Sequence, residues 1–471
     1  MDEHEHAAKP ENPAVQRVRQ HFHQCPVVYS DDPKAMPQPV FPITDFVANV
    51  HSSLIEDIAE AFLETKQFSD VHVFVGTANR CVGAIVHELA RRTDRPYTLA
   101  NWYPAGSIGE TLVAECGGFS GKGAVYLNGL RPGQRVALVI DVLRSGSNVL
   151  DLVHACERAG VFLVGCYCVA SIIEFPGRSV VHRHFDSLAC PFIVLVTVSA
   201  RGERTKIVGS DGSTLLPSPP WTAAMSRLSV DDVLSPTAHG RARRLFPVPA
   251  SFPTVRGFSN DALAAKRRRI SEPFYNIPVV RNPLLNYPYC FFQLTDFVPL
   301  MTCDMIEDVA DLCVQNADFN RCDVIVSEAD RGGAPLAVAI SRRTGKPFVL
   351  ASWSTIVDSQ CSDATSVGFS GFGRFFIAGV KNGERCIFVD DMLSSGGTCE
   401  GIVNALRRCG AVTLEAIFVG EKLTAPAPNG VLPRRTGFQR LANAAPDMLV
   451  TTLVQLTAFG PKTEPPVATV G

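Results

Sequence analysis

Asp390-Asp391-Met392-Leu393-Ser394-Ser395-Gly396-Gly397-Thr398 sets two carboxylates, three hydroxyls and two glycines within nine consecutive positions. The apolar run Cys386-Ile387-Phe388-Val389 precedes it, and a helical pattern, Cys399 through Arg408, follows. That order predicts a strand, an acidic pair, a small-residue loop and a helix N-terminus. Such a turn offers backbone N–H groups and hydroxyls to a phosphate. Carboxylates at the strand end suit ribose hydroxyls or a magnesium-bound sugar phosphate. A second turn, Glu328-Ala329-Asp330-Arg331-Gly332-Gly333, follows the strand pattern Val324–Ser327 and precedes a helix over Ala334–Arg343. Its glycines free the backbone to meet an anion, and Arg331 adds charge. Parallel sheets bind ligands at the carboxyl ends of their strands, so both turns are expected to open on one crevice.

The elements that must position these turns occur twice. Thr44-Asp45-Phe46-Val47 recurs as Thr295-Asp296-Phe297-Val298, Arg91-Arg92-Thr93 as Arg342-Arg343-Thr344, and Gly118-Phe119-Ser120-Gly121 as Gly368-Phe369-Ser370-Gly371. The spacing, about 250 residues throughout, is too long for a solenoid and implies tandem duplication of one globular domain. In each copy strand and helix patterns alternate. This predicts an α/β fold, with a mostly parallel sheet flanked by helices. The expected organisation is a polar lead over 1–25, a first domain over 26–200, a Pro/Ser/Arg-rich linker over 201–275, a second domain over 276–460 and a disordered tail over 461–471. A short helix, Ala262–Arg269, is expected within the linker.

Composition narrows the function. A formal net charge of −2 gives no electrostatic case for nucleic acid. No apolar stretch approaches transmembrane length, so no membrane partner is expected. The cysteines form no CxxC pairs and several lie in apolar runs, which predicts reduced, buried thiols and a cytoplasmic protein. The acidic start Met1-Asp2-Glu3-His4-Glu5-His6 resembles no secretory signal.

The first turn resembles the PRPP-binding motif of the type I phosphoribosyltransferases: a strand, two acids, two variable positions, then Thr/Ser-Gly-Gly-Thr. Ser395 stands where Thr is usual and keeps the hydroxyl. The Asp330-Arg331-Gly332 turn resembles the pyrophosphate loop of the adenine phosphoribosyltransferases. Phe291-Phe292, before Thr295-Asp296, and Val40-Phe41, before Thr44-Asp45, resemble the Val-Phe pair of that family's small hood. Glu421, after the fourth strand, also matches its pattern.

The resemblance implies two tandem type I phosphoribosyltransferase-like domains and an adenine-type purine phosphoribosyltransferase in the second. Asp390 and Asp391 would be the catalytic pair on the ribose hydroxyls. Ser394, Ser395, Gly396, Gly397 and Thr398 would hold the 5′-phosphate. Asp330, Arg331 and Gly332 would hold pyrophosphate, and Phe292 would stack on the base. Mg²⁺ would enter with PRPP rather than bind the protein directly. The implied partners are PRPP, a purine base and a second domain, in an internal pseudo-dimer or a homodimer.

Two departures matter. In the first copy the motif has become Val139-Ile140-Asp141-Val142-Leu143-Arg144-Ser145-Gly146-Ser147-Asn148, and Cys81 and Val82 replace the glycines after Arg80. That copy is expected to be degenerate. The second copy lacks the family's Arg and Lys after the second strand: Ser352-Trp353 stands there, and positions 354–366 carry no Lys or Arg. Losing such stabilisation of a leaving group costs roughly 10²–10³-fold in rate. It leaves open a non-catalytic sensor or scaffold that binds PRPP or a nucleotide. A PRPP synthetase, which also pairs two such domains, is a third reading; the long linker and Phe292 speak against it.

Overall fold

The structure is a computed structural model. It describes residues 12–29, 36–46, 49–65, 70–78, 80–103, 113–116, 123–208, 260–272, 279–281, 288–290, 293–329, 331–352, 362–366, 373–423, 435–459 and 467–470. Among these, no helix is long and apolar enough to cross a membrane.

The chain opens with α1 (Pro13–Phe22), the short pair β1 (Val27–Val28) and β2 (Gln38–Pro39), α2 (Pro42–Asp45) and α3 (Ser52–Leu63). Then come β3 (Val73–Thr77), α4 (Val82–Thr93), β4 (Tyr97–Tyr103), β5 (Val113–Cys116), β6 (Gly123–Tyr126), β7 (Arg135–Leu143), α5 (Ser147–Arg158), β8 (Phe162–Ile172), α6 (Gly177–Ser187), β9 (Phe192–Ser199) and β10 (Lys206–Ile207). The remainder repeats the plan. α7 (Asn260–Ser271), β11 (Val279–Arg281), β12 (Pro288–Cys290), α8 (Gln293–Asp296) and α9 (Cys303–Asn316) lead into β13 (Val324–Glu328), α10 (Gly333–Thr344) and β14 (Phe348–Ala351). β15 (Ser362–Ser366), β16 (Gly373–Ile377), β17 (Arg385–Leu393), α11 (Gly397–Arg408), β18 (Val412–Leu423), α12 (Thr436–Ala444), β19 (Leu449–Phe459) and β20 (Val467–Val470) complete it.

Two main sheets result. One has the order β10-β9-β8-β7-β3-β4-β6-β5, the other β14-β13-β17-β18-β19-β20. The run β4-β3-β7-β8-β9-β10 in the first unit thus has the same order as the whole second sheet. Both runs are parallel except for the last strand, which pairs antiparallel. Alternation along each strand fills both faces. On β7, Leu138 and Ile140 face one apolar cluster with Leu152 and Val153 of α5, while Ala137 and Val139 join the cluster under α3 and α4.

Three expectations need correction. The polar lead contains α1, whose Ala14, Val18 and Phe22 fall four apart on one buried stripe. Phe22 packs against Phe41 at 4.9 Å between ring centres. The tail contains β20, which pairs with the edge of β19. The linker begins after β10 rather than at 201, because Lys206 and Ile207 pair with Ser199 and Val198. The expected linker helix is present as α7.

The two units meet reciprocally. Val50 and Phe348 exchange backbone hydrogen bonds of 2.9 and 2.8 Å, and Tyr97 and Met301 exchange two of 3.0 Å. Tyr97 and Phe348 both open the second core strand of their unit, so each unit lends the same strand to the other. α4 lies on α10, with Gly83 close enough that a Cβ there would sit 3.1 Å from Pro335 and 3.3 Å from Ala334.

Charge fills this contact. Glu88 on α4 is fully buried and accepts hydrogen bonds from Arg91, Arg92 and, across the interface, Arg342 at 3.0 Å. Burial opposes its charge, but Arg91, Arg92 and Arg342 outweigh burial and hold its pKa below the ordinary value. His87 meets Glu307 at 3.0 Å from the other side, and burial pushes the imidazole pKa down despite that carboxylate. A carboxylate with a depressed folded pKa stabilises the fold above its unfolded pKa, and that contribution fades in acid. Glu88→Gln should therefore destabilise the chain by about 3 kcal/mol at pH 7. Urea unfolding should show the gap from wild type narrowing as pH falls below about 4. Equal stabilities at pH 7 would show that the cluster contributes nothing.

Candidate functional site

β13 and β17 lie side by side and parallel, with Ser327 opposite Val389. The Ser327 hydroxyl donates to the Val389 carbonyl at 2.7 Å and ties the strand ends together. The turns that follow therefore open on the same edge of the sheet, as the sequence implied.

From β17 come Asp390 and Asp391, 7% and 8% exposed. The Asp391 N–H donates to Asp390 Oδ1 at 3.0 Å, and the Thr295 hydroxyl of α8 donates to Asp391 Oδ2 at 2.6 Å. Burial raises the Asp391 pKa, while Thr295 and the charges of Arg331 and Lys422 oppose that rise. Arg331 has a left-handed backbone, φ 49°, and is nearly buried. Its Nη1 donates to Asp296 Oδ1 at 2.8 Å, and burial lowers the guanidinium pKa to about 10. A Cβ at Gly332 would lie 2.6 Å from the Leu294 carbonyl and 3.0 Å from Asp391 Oδ2. The position must be glycine for the two turns to approach this closely.

Past Asp391, Leu393-Ser394-Ser395 bends into Gly396, whose φ of 77° starts α11 in the left-handed region. The first N–H groups of a helix lack intrahelical acceptors, so its opening turn favours an anion. α12 backs the loop: a Cβ on Gly437 would lie 2.5 Å from the Ser394 carbonyl. Its N-cap residue, Arg435, is held by Glu421, which is fully buried at the end of β18. Arg435 donates to Glu421 at 2.6 to 3.0 Å, with Thr452 and Gln455 adding hydrogen bonds of 3.2 and 3.3 Å. The Arg435 guanidinium also stacks over Phe438 at 3.9 Å.

Of the residues singled out in the sequence, Asp390, Asp391, Arg331 and Gly332 converge, and Ser394 to Thr398 form the adjoining loop and first helical turn. Asp330 and Phe292 lie outside the described residues, as does Trp353. Phe41, the first unit's counterpart to Phe292, is fully buried in the core and opens on no crevice. Sequence reasoning singled out Glu421 but missed the contacts that Thr295, Asp296, Arg435 and Lys422 make around it, Arg331 and the acidic pair. A signal existed for the first two, since Thr-Asp recurs in both copies. Among the described residues no cluster of three or more His, Cys, Asp or Glu is arranged to hold a metal ion. Two adjacent carboxylates suit sugar hydroxyls and a cation brought in by its phosphate ligand.

The same positions in the first unit differ. Arg80 repeats the left-handed backbone at φ 52°, but Cys81 and Val82 are fully buried where the second unit has glycines. Thr44 donates to its neighbour Asp45 at 2.6 Å rather than across to the central strand. Ile140 occupies the place of Asp390.

Because burial raises the Asp391 pKa, its ionised form weakens the fold as pH rises above the unfolded value. Asp391→Asn should raise stability at pH 7 by about 1 kcal/mol, a gain of the kind found at strained sites. The gain should shrink at pH 4 in thermal melts, where the wild-type carboxyl takes up a proton. A lower melting temperature at pH 7 would contradict this account.

No family model matches the chain. The hypoxanthine/guanine phosphoribosyltransferase of Methanococcus voltae is 31% identical over 157 residues, which is 33% of this chain and 81% of that protein. That of Methanohalophilus mahii is 31% identical over 180 residues, 38% of this chain and 85% of that protein. Among solved structures, the adenine phosphoribosyltransferase of Rhodothermus marinus aligns at 20% identity and a TM-score of 0.31, covering 39% of this chain and 98% of that one. The Saccharomyces cerevisiae enzyme aligns at 21% identity and a TM-score of 0.31, covering 40% and 99%. On these two relatives, more than four-fifths of whose length the alignment covers, the chain belongs to the type I phosphoribosyltransferase family.

Proposed function

We propose that the second unit, residues 276–460, is a purine phosphoribosyltransferase of nucleobase salvage. The observation that carries this reading is the meeting of Asp391, Arg331 and Gly332 at one sheet edge, beside a glycine-started helix. Asp390 and Asp391 take the ribose hydroxyls of PRPP. Ser394, Ser395, Gly396, Gly397 and Thr398 take its 5′-phosphate. Asp330, Arg331 and Gly332 take the pyrophosphate. Mg²⁺ bound with PRPP would supply positive charge to the diphosphate, and Asp390 and Asp391 would face the complex it forms. A nitrogen of the base attacks the anomeric carbon as the bond to pyrophosphate breaks, through an oxocarbenium-like state. Placing the two reactants and stabilising charge supply the acceleration. The buried Arg331 guanidinium is a preorganised cation for the leaving group. Its bond to Asp296 fixes its direction.

The first unit, residues 26–200, serves as a built-in partner, so the chain carries its own pseudo-dimer. The reciprocal strand contacts support this. The free cysteines among the described residues, most of them buried, support a cytoplasmic setting.

For the base, the hood resemblance supports adenine. A second reading, a 6-oxopurine, has its own observation. Lys422 follows Glu421 on β18, and its charge acts on Asp391. An ammonium donates to a C6 carbonyl but has no acceptor in adenine's amino group. The archaeal relatives are named for hypoxanthine and guanine. The missing cations after β14 support a non-catalytic PRPP-binding sensor as the rival.

The test is pyrophosphate release from PRPP-Mg²⁺ with adenine, hypoxanthine and guanine in turn. Asp390→Asn with Asp391→Asn should abolish release with every base. Lys422→Met should cost a 6-oxopurine about 10²-fold or more in kcat/KM and leave adenine turnover little changed. PRPP binding without release from any base would make the protein the sensor. Neither binding nor release would overturn both readings.

A further inference from the structure

The first unit closes one half of its crevice and keeps the other. Cys81 and Val82 put two buried side chains into the turn after β3, where the second unit has glycines. The turn after β7 stays open. Gly146 has a φ of 84°, as Gly396 has 77°, and it starts α5, a helix of 12 residues. Ser145 and Ser147 flank it with exposed hydroxyls 3.0 Å apart.

Two side chains in this crevice lack partners that burial ordinarily demands. Arg144 stands where the second unit has Ser394. Its Nε and Nη2 are buried and donate no hydrogen bond. Burial lowers its pKa, the neighbouring Arg80 adds like charge, and Asp45 and Asp141 offset it. Asp45 has a side chain 2% exposed. Its Oδ2 accepts from the Phe41 N–H at 3.0 Å and the Thr44 hydroxyl at 2.6 Å. Its Oδ1 accepts no hydrogen bond, and the nearest cation, Arg80 Nη1, is 3.8 Å away. Each buried, unsatisfied donor or acceptor costs about 1–3 kcal/mol. A crevice that holds spare guanidinium donors beside a spare carboxylate oxygen is matched by a ligand carrying both an anion and a hydroxyl.

We propose that the first unit binds a phosphomonoester of a hydroxylated sugar, without turning it over. The phosphate sits on Arg144, Ser145, Ser147 and the first turn of α5. The sugar hydroxyls face Asp45 and Asp141. A monophosphate is selected over a diphosphate because the second anion-binding turn is filled. Ile140 removes the second ribose-binding acid, which leaves capture but not the constellation for transfer. This inference rests on reading the corresponding loop of the second unit as a phosphate loop.

The experiment is calorimetric titration of the intact chain with ribose 5-phosphate, with a nucleoside 5′-monophosphate such as GMP and with inorganic phosphate. Wild type should show two sites for the sugar phosphates. Arg144→Met should lose one. Gly397→Asp, which puts a carboxylate into the second unit's loop, should lose the other. Melting adds an independent readout. Arg144→Met should melt higher than wild type in phosphate-free buffer, because it removes an unpaired buried charge. Ribose 5-phosphate should still raise the melting temperature of Gly397→Asp. Should Arg144→Met fail to fold, Arg144→Lys should keep two sites with one weakened. Unchanged stoichiometry and affinities in the Arg144 variants, or no remaining site in Gly397→Asp, would overturn the proposal. Inorganic phosphate binding as tightly as ribose 5-phosphate at the Arg144-dependent site would overturn the sugar requirement. If the Gly397-dependent site alone is missing from wild type, the reading of the second unit fails and the Arg144-dependent site stands apart from it.

Discussion

Parallel pairing of β13 with β17 is the constraint on which the second crevice depends. Strands in parallel register end together, so whatever the chain does after each strand must happen in the same place. Ser327 pins that register with a hydrogen bond to the Val389 carbonyl. Arg331 and Asp391 then confront each other although they lie 60 positions apart in the chain, with β14 and the β15–β16 pair between them. The glycine at 332 is a packing requirement. Its missing side chain is what lets one turn rest on the carboxylate of the other.

Behind the Ser394–Thr398 loop, a second layer fixes what the strand ends offer. Glu421 is fully buried and holds the partly exposed Arg435, and the pair fastens the start of α12 against Ser394. Such a pair adds little net stability compared with apolar residues, but it sets direction. The first unit handles the same place differently. Gly177 packs on the Arg144 carbonyl much as Gly437 packs on that of Ser394, while Ser171 occupies the strand position matching Glu421. The backbone frame is common to both units, and the charges are not.

Much of this was legible in the sequence because local signals coincide with the fold. β14 runs from Phe348 to Ala351 as its apolar run implies, and the acidic pair and glycines mark the end of β17 without ambiguity. The repeated Thr-Asp, Arg-Arg-Thr and Gly-Phe-Ser-Gly segments announced two similar halves. What stayed hidden depends on contacts between distant segments. Thr295 and Asp391 are 96 positions apart, and nothing in either neighbourhood names the other. β15 is Ser-Asp-Ala-Thr-Ser, with no large apolar residue to mark a strand, so only its pairing with β16 reveals it. α1 has a buried stripe of three residues in a stretch whose average character is polar, which is why composition misjudged it.

The contact between α4 and α10 is lopsided in charge although its backbone is reciprocal. Glu88 and His87 stand on one helix, while the corresponding positions of the other are Ala339 and Val338. The second half has no counterpart to Glu88, so two second halves brought together would leave Arg342 without that carboxylate. The charge across the contact thus favours the pairing of unlike halves. Because both halves share one chain, their encounter is also independent of protein concentration. A half that never has to find its mate is free to drift in chemistry while its fit is preserved.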